Sequence, residues 1–476
     1  MKITRRHMLI GAGGTALAAG AVAAQKFSWD RKTFTRSGYV EAAPVAPPGE
    51  ASWMNWSGIE RATPKQIAFP DSVDALSRTI TGAAGRIRPV GSGHSFTGLS
   101  TTEDTLLMLN GLSGLISYDA ASGEARFGAG TPLFDVSEIL SGYGRALDNQ
   151  PDIDMQTLAG AFATGTHGTG NDLAALHDNI TAFQIVTADG SVRDITAATD
   201  PALFEAGKVS LGALGVMTAF TIRTVPAYRL KRVLTVEDSK AFLSRLEQTA
   251  AAHRNFEFYY FPHTGLVASI VHDITDAPVT DAVGGEDDDD FLWGLKTLRD
   301  ELGWAPWLRR LIARSEFPRG VVEERVDESR LVLSTTRPTR FNEMEYHLPR
   351  AMGPEMVERV MRKLDQRSEI FFPMEYRHIA QDTAWLSPFN AGPRASIAIH
   401  ALASECHDYF FTEFEPMYRE AGGRPHWGKL HTLGHAELTG LYPEFERFNA
   451  VRAELDPKGK FLNTHLAKLF GVNLDA

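Results

Sequence analysis

The sequence predicts an α+β fold built in two principal units. Strands and short helices mix along the chain without the regular βα spacing of a doubly wound sheet. In the first half several strands run straight into glycine loops; from about residue 231 those loops stop, and aromatic and charged residues take over. With 476 residues the chain is long enough for two or three domains. Its 43% hydrophobic and 22% charged residues suit a globular protein with a sizeable core. The single Cys406 excludes an intramolecular disulfide, a CxxC redox pair and a zinc ribbon. A net charge of −11 without a basic stripe argues against nucleic acid as a partner. His253, His263, His272 and His435 show no metal-ligand spacing, so no metal site is expected.

Thr4-Arg5-Arg6-His7-Met8-Leu9 precedes an apolar, Gly/Ala-rich run to Ala24. A basic start, a short apolar stretch and a small-residue exit make a signal peptide over residues 1–24. The adjacent arginines resemble a twin-arginine signal, which exports proteins already folded and loaded. The expectation is a periplasmic or secreted protein that engages the twin-arginine export machinery. An ordinary secretory signal or an uncleaved anchor is the alternative. Past Ala24 no apolar run reaches the roughly 18 residues of a membrane span, so membrane association is expected to be peripheral at most. Gly11-Ala-Gly13-Gly-Thr-Ala16 imitates a dinucleotide fingerprint, but it lacks the preceding strand and the later acid.

Residues 25–55 contain Pro44-Val-Ala-Pro47-Pro48-Gly49 and read as an extended linker, with order beginning at Trp56. Asp71-Ser72-Val73-Asp74 ahead of an apolar-periodic run predicts a capped helix start, and Arg86 to Val90 a short strand. That strand enters Gly91-Ser92-Gly93-His94-Ser95. Alternating glycines there let backbone N–H groups converge on an anion with no Cβ in the way. Similar loops follow at Phe127-Gly-Ala-Gly130-Thr-Pro132 and Gly165-Thr166-His167-Gly168-Thr-Gly170. Ile185 to Val192 reads as a hairpin on an Asp-Gly turn, and Met217 to Val225 as a strand. Glu286 to Asp290 is expected to be a solvated loop. Val322 to Val332, Glu343 to Tyr346 and Ser396 to His400 read as strands, and Gly353 to Ser368 as a helix. Glu375 and Arg377 are alternate residues that a strand would place on one face.

Val90-Gly-Ser-Gly-His94-Ser, Thr166-His-Gly-Thr-Gly170, Ser210-Leu-Gly-Ala-Leu-Gly-Val216, Glu343-Met-Glu-Tyr346, Arg424-Pro-His-Trp-Gly-Lys429 and Asp456-Pro-Lys-Gly-Lys-Phe-Leu-Asn463 together resemble one family. It is the sugar-1,4-lactone oxidase and alditol oxidase group of the vanillyl-alcohol-oxidase type flavoproteins, which includes D-arabinono-1,4-lactone oxidase and L-gulonolactone oxidase. The resemblance spans Trp56 to the C-terminus. It implies a two-subdomain FAD-binding domain over residues 56–230 and a substrate cap with antiparallel sheet over 231–450. Residues 451–476 would return to the FAD domain.

By the same resemblance the cofactor is FAD, covalently bonded through its 8α-methyl group to His94. The bland alternative is a histidine that only hydrogen-bonds a phosphate or packs. No cysteine stands at the loops for a second flavin bond. The residues implied at the cofactor are Val90, Gly91, Ser92, Gly93, His94, Ser95, Pro151, Thr157, Gly160, Thr164, Gly165, Thr166, His167, Gly168, Gly170, Gly215, Val216 and Lys429. The implied reaction is oxidation of a CH–OH group of a sugar lactone, with hydride passing to flavin N5 and molecular oxygen as acceptor. A polyol substrate, or a cytochrome or quinone acceptor, is the alternative.

Such chemistry needs a base for the hydroxyl proton and positive charge beside the reduced flavin. The resemblance assigns Glu375 and Arg377 to substrate oxygens and hydroxyl activation, His400 to a substrate hydrogen bond, and Lys429 to the flavin edge. On residues alone, Glu375 and Arg377 could be a surface cross-strand pair, His400 a core histidine and Lys429 plain surface. Pro151-Asp152 departs from the small pair, such as Gly-Ser or Ala-Ser, usual in relatives. Asp152 puts the substrate contact in doubt, whereas proline tends to admit oxygen in such flavoproteins.

Overall fold

A computed structural model describes residues 22–280, 288–335 and 338–474. The twin-arginine motif, nearly all of the expected signal segment, and Glu286 lie outside the described residues.

The stretch expected as a linker is anchored to the rest of the chain instead. Residues 22–30 are helical, and Trp29 is only 5% exposed, its Nε1 donating to the Asp300 carbonyl at 2.9 Å. Thr35 pairs with Glu405 as an isolated bridge, and the Cys406 N–H donates to the Phe34 carbonyl at 2.9 Å. The reason is bulk: a Cβ on Gly303 would lie 1.8 Å from the Trp29 ring, so the indole fills a slot that glycine leaves. Trp29→Ala is expected to cost about 3–5 kcal/mol, read as a lower Tm by calorimetry. Residues around Pro44 to Gly49 stay irregular.

The first unit holds a three-stranded and a five-stranded sheet beside two short two-stranded ones. Ser72 caps helix Val73–Gly82 by accepting from the Ala75 N–H at 3.2 Å. Strand Ile87–Val90 pairs in parallel with Thr105–Met108, which pairs in turn with Gln66–Ala68. Arg88 on that strand is buried, and among the described residues no carboxylate pairs with it. Its guanidinium donates to the carbonyls of Leu99, Leu211, Gly212 and Phe461 at 2.5–2.9 Å, tying three separate loops to one strand. Four carbonyl acceptors are what make a buried cation tolerable. A five-stranded antiparallel sheet runs Val192–Thr196, Ile180–Val186, Val216–Arg223, Glu124–Gly128, Leu115–Asp119. The Asp-Gly turn closes its hairpin, with Gly190 at φ +84° and Asp189 accepting from the Ser191 N–H at 3.0 Å.

The second unit is built on an eight-stranded antiparallel sheet in the order Gly320–Glu328, Arg229–Asp238, Leu266–Thr275, Asn255–Phe261, Met374–Ile379, Arg394–Leu402, Phe341–Pro349, Arg424–Pro425. Side chains alternate between its faces. Phe258, Tyr376, Ile397 and Met344 join the buried apolar core, and Gly353 at the start of helix Gly353–Asp365 comes so close that a Cβ would meet the Tyr376 hydroxyl at 2.3 Å. Glu257, Tyr259, Glu375, Arg377, His400, Glu343 and Glu345 take the intervening positions. The register places Glu257 opposite Arg377, Tyr259 opposite Glu375 and Glu343 opposite His400.

Two expectations need correction here. The strand expected to Val332 ends at Glu328 and gives way to helix Ser329–Leu333. Asp288 to Asp290 belong to helix Asp288–Leu302 rather than to a loop. The C-terminal segment lies on the first unit. Ile87 donates to the Lys460 carbonyl at 2.8 Å, and Asn463 both caps helix Thr464–Phe470 and donates to the Gly98 carbonyl at 2.6 Å. Among the described residues no helix is long and apolar enough to cross a membrane.

Candidate active site

A single cavity of about 790 Å³ runs between the two units. It falls within the roughly 300–1,000 Å³ typical of ligand pockets. Val90 to Ser95, Pro151, Thr157, Gly160, Thr164, Thr166, His167 and Gly215 line it from the first unit. Glu375, Arg377, His400 and Lys429 line it from the second. The N–H groups of Ser92, Gly93, His94 and Ser95 find no acceptor among the described residues. Gly93 is left-handed at φ +70°, and a Cβ on Gly91 would lie 2.2 Å from the Thr157 hydroxyl. This is a bare backbone cradle of free donors, the form an anionic dinucleotide requires, so the residues fit FAD.

Gly165, Gly168, Gly170 and Val216, expected at the cofactor, do not line the cavity. Gly165 closes helix Leu158–Thr164 in the left-handed conformation. A Cβ on Gly168 would meet the Gln150 carbonyl at 2.4 Å, and one on Gly170 the Arg254 carbonyl at 2.6 Å. These glycines permit close chain crossings. Val216 is a fully buried strand residue.

The two most distant motifs meet directly. Phe96 donates to the Gly428 carbonyl at 2.7 Å, and the Thr97 hydroxyl to the Trp427 carbonyl at 3.2 Å. Lys429 thus comes to the cavity beside the His94 loop. Its Nζ is ion-paired with Glu343 and lies 4.9 Å from the Phe96 ring centre. Burial would raise the Glu343 carboxyl, but Lys429 and His400 together hold it at about 2. The His400 Nδ1–H donates to the Pro373 carbonyl at 2.9 Å, and its Nε2 lies 3.7 Å from Glu343. Burial opposes the charged ring, yet Glu343 raises it overall.

A second group surrounds Arg377, which ion-pairs with Asp152 and Glu375 through Nη2 and with Glu257 through Nε at 2.8 Å. The Tyr259 hydroxyl sits 2.8 Å from Glu375 and 2.9 Å from Asp152. One O–H cannot donate fully to both oxygens, so the Tyr259 hydroxyl serves one of the two carboxyls at a time. Burial raises the Glu375 carboxyl against the pull of Arg377. Burial and then Asp152 push Glu257 up to about 7. Asp152 therefore stands inside the Arg377 cluster on the cavity wall. The backbone fixes it there: Thr335 donates to the Asp152 carbonyl at 2.7 Å.

Glu343, Glu345, Glu257, Tyr259 and His426 line the same cavity without having been expected there. Glu345 accepts from Ser396 at 2.5 Å and pairs with His167 Nε2 at 2.9 Å. The available signal was acids at alternate positions in otherwise apolar strands, as in Glu343-Met-Glu345 and Glu257-Phe-Tyr259. Three groups lie close enough in space to suit a metal ion: His167 with Glu345 and His426, Glu343 with Glu375 and His400, and Asp152 with Glu257 and Glu375. Sequence spacing showed none of these. Lys429 and Arg377 already supply the positive charge in the last two. In the first, His426 Nδ1 accepts from the Gly428 N–H at 3.0 Å, which leaves the ring proton on Nε2.

The sequence profile of the D-arabinono-1,4-lactone oxidase family matches residues 220–469, more than half of the chain. The chain belongs to the D-arabinono-1,4-lactone oxidase family. An FAD binding domain profile matches residues 64–196, and the protein is an FAD-dependent oxidoreductase. An L-gulono-1,4-lactone dehydrogenase of Mycobacterium tuberculosis is 34% identical over 430 residues, covering 88% of this chain and 99% of that one. An alditol oxidase from Streptomyces is 27% identical over 434 residues, covering 87% and 98%. Among solved structures, cholesterol oxidase from B. sterolicum superposes with a TM-score of 0.72 over 90% of this chain and 100% of that one, at 15% identity. That likeness shows the fold this family shares.

Burial in this family member also sets an acid sensitivity. It pushes His94 and His465 down to about 4, and His272, His378, His426 and His431 down to about 3. Each folded value lies below the ordinary 6.5, so between those limits the unfolded chain binds more protons. Their contribution is complete above about pH 6.5 and is lost as pH falls toward 3. Glu257, raised to about 7, and Glu375 and His400, also raised, act oppositely, and the buried histidines outnumber them. Tm measured from pH 7 downward is expected to fall steadily; a flat profile to about pH 4.5 would contradict the buried neutral histidines.

Proposed function

We propose that this protein oxidises a CH–OH group of a sugar 1,4-lactone of the D-arabinono or L-gulono type, with FAD bonded to His94 and oxygen as acceptor. The observation that carries this is the meeting of the Glu375–Arg377 and Lys429–Glu343–His400 groups with the His94 loop in one cavity. Arg377 and Tyr259 offer donors to the ring oxygens of a neutral polyhydroxylated substrate. Glu375, raised by burial, is suited to take the hydroxyl proton. Lys429 and His400 supply the positive charge that such a reaction requires beside its electron acceptor. The flavin, when bound, accepts the hydride. The names of the family and of its relatives favour lactones, and Pro151 lining the cavity supports oxygen as acceptor.

Denaturing the purified protein tests the attachment: yellow colour is expected to stay with the polypeptide, and to be released from His94→Ala. Anaerobic bleaching by aldonolactones is expected to be faster than by alditols; no bleaching by either would reject the substrate class. The dehydrogenase name of the 34% identical relative favours a second reading, with a cytochrome or quinone as acceptor. Reoxidation by air taking many minutes would select it. We also propose twin-arginine export to the periplasm or beyond, supported by Arg5-Arg6 and the apolar run after them. Replacing both arginines by lysine should leave the protein in the cytoplasmic fraction.

A further inference from the structure

His94 is held in an unusual way. Its ring is part-buried at the cavity, and no side-chain hydrogen bond joins it to the described residues. The ring instead lies flat against the indole of Trp56, with centroids 5.3 Å apart and planes inclined by 22°. Trp56 is itself fixed on two further sides, edge-on to Phe341 of the cap at 5.1 Å and 77°, and to Phe96 at 6.3 Å and 84°. Its backbone N–H donates to the Gly93 carbonyl at 2.8 Å, and the side-chain amide of neighbouring Asn55 donates to the Ser95 carbonyl at 2.8 Å. The segment Asn55-Trp56 therefore clamps the chain on both sides of His94, while the indole governs the plane of its ring.

We infer that Trp56 is a positioning residue for flavin attachment, holding His94 with its unpaired nitrogens directed along the stacking plane. This rests on the proposed bond between His94 and the flavin. Attachment needs a neutral imidazole with a free lone pair, aimed and unable to rotate. Burial, and then the nearby Lys429, push His94 down to about 4, so its ring is neutral at ordinary pH. Most catalytic or linking histidines are aimed by a hydrogen bond from the second nitrogen; here a stacked indole takes that place.

In the attachment step the free imidazole nitrogen forms a bond to the 8α carbon, and one C–H bond of that methyl breaks. The electron pair of the broken bond stays on the flavin. The C–H proton and the imidazole N–H proton are taken up by the reduced ring system. Dioxygen then removes two electrons and two protons as hydrogen peroxide, leaving the oxidised, linked cofactor. Trp56 takes part in no bond change; it limits the ring orientations from which attack can start.

The test separates binding from bonding. Wild type, Trp56→Leu, Trp56→Met and Trp56→Phe are purified and incubated with excess FAD in air. Total flavin is measured by absorbance, and bonded flavin by in-gel fluorescence after denaturation. Both non-aromatic variants keep the backbone clamp, so they are expected to bind FAD but to attach it about tenfold more slowly or more, with Trp56→Phe recovering much of the rate. Attachment in Trp56→Leu or Trp56→Met within twofold of wild type would overturn the inference. So would loss of FAD binding in every variant, because Trp56 would then serve the fold or the cofactor site as a whole. Release of all flavin from wild type is a different result, which removes the His94 bond itself.

Discussion

Arg377→Met is expected to abolish lactone-dependent flavin reduction, lowering kcat/KM by about 10³-fold or more, and to destabilise the protein by about 3–5 kcal/mol. Among the described residues Arg377 is the cation in contact with Asp152, Glu257 and Glu375 at once. All three carboxyls are partly or fully buried. Removing the guanidinium leaves their charge uncompensated in a place that water reaches poorly, and breaking a buried pair from one side carries the full desolvation cost. The loss should be uneven. Glu257 at about 7 already carries a proton part of the time, so adding Glu257→Gln to Arg377→Met should return some stability without returning activity. Arg377→Lys should recover little, because Nε and Nη2 reach different carboxylates and an ammonium cannot fork. Thermal unfolding and anaerobic stopped-flow reduction check the two effects separately. A tenfold or smaller loss of kcat/KM would show that Arg377 holds the cap together without serving the substrate.

Lys429→Met is expected to lower kcat by about 10²–10³-fold with a smaller change in KM, since its charge is needed most where negative charge develops. The same change releases Glu343 from its strongest partner. The carboxyl, held at about 2 by Lys429 and His400 against its own burial, should move upward. Glu343→Gln alone should therefore be damaging, whereas the double variant should be little worse than Lys429→Met. Such non-additivity marks a pair that acts as a unit. Single-turnover reduction of all three variants provides the measurement. Additive losses, or a Lys429→Met enzyme within threefold of wild type, would remove Lys429 from the chemistry.

Short-range chemistry was legible in the sequence. Ser72 before an apolar-periodic run is the observed cap, the Asp-Gly pair makes the observed hairpin turn, and His94 lies where a strand opens into bare backbone. Glu375 and Arg377 share a face because a strand returns every second side chain to the same side. Where local pattern misled, a distant partner outweighed it. The Pro-rich arm read as a free linker because its own composition cannot show that Gly303 leaves room for Trp29. Gly168 and Gly170 lie off the cavity, where glycine needed for a close chain crossing looks the same in sequence as glycine needed for a ligand.

The sequence by itself determined the family, the glycine-rich loop around His94 and the alternation that brings Glu375, Arg377 and His400 to one surface. Only the tertiary structure decided who neutralises whom. Glu343 meets Lys429 across 86 positions, Arg377 meets Glu257 across 120, and the Thr97 hydroxyl reaches the Trp427 carbonyl across 330. Ionisation in a buried site depends on charge and solvent within a few ångströms, and sequence separation carries no information about that distance. The same holds for His94. Its place in the glycine loop is a local fact, but its neutral, hydrogen-bond-free ring against Trp56 exists only once both chain segments and the cap have closed around it.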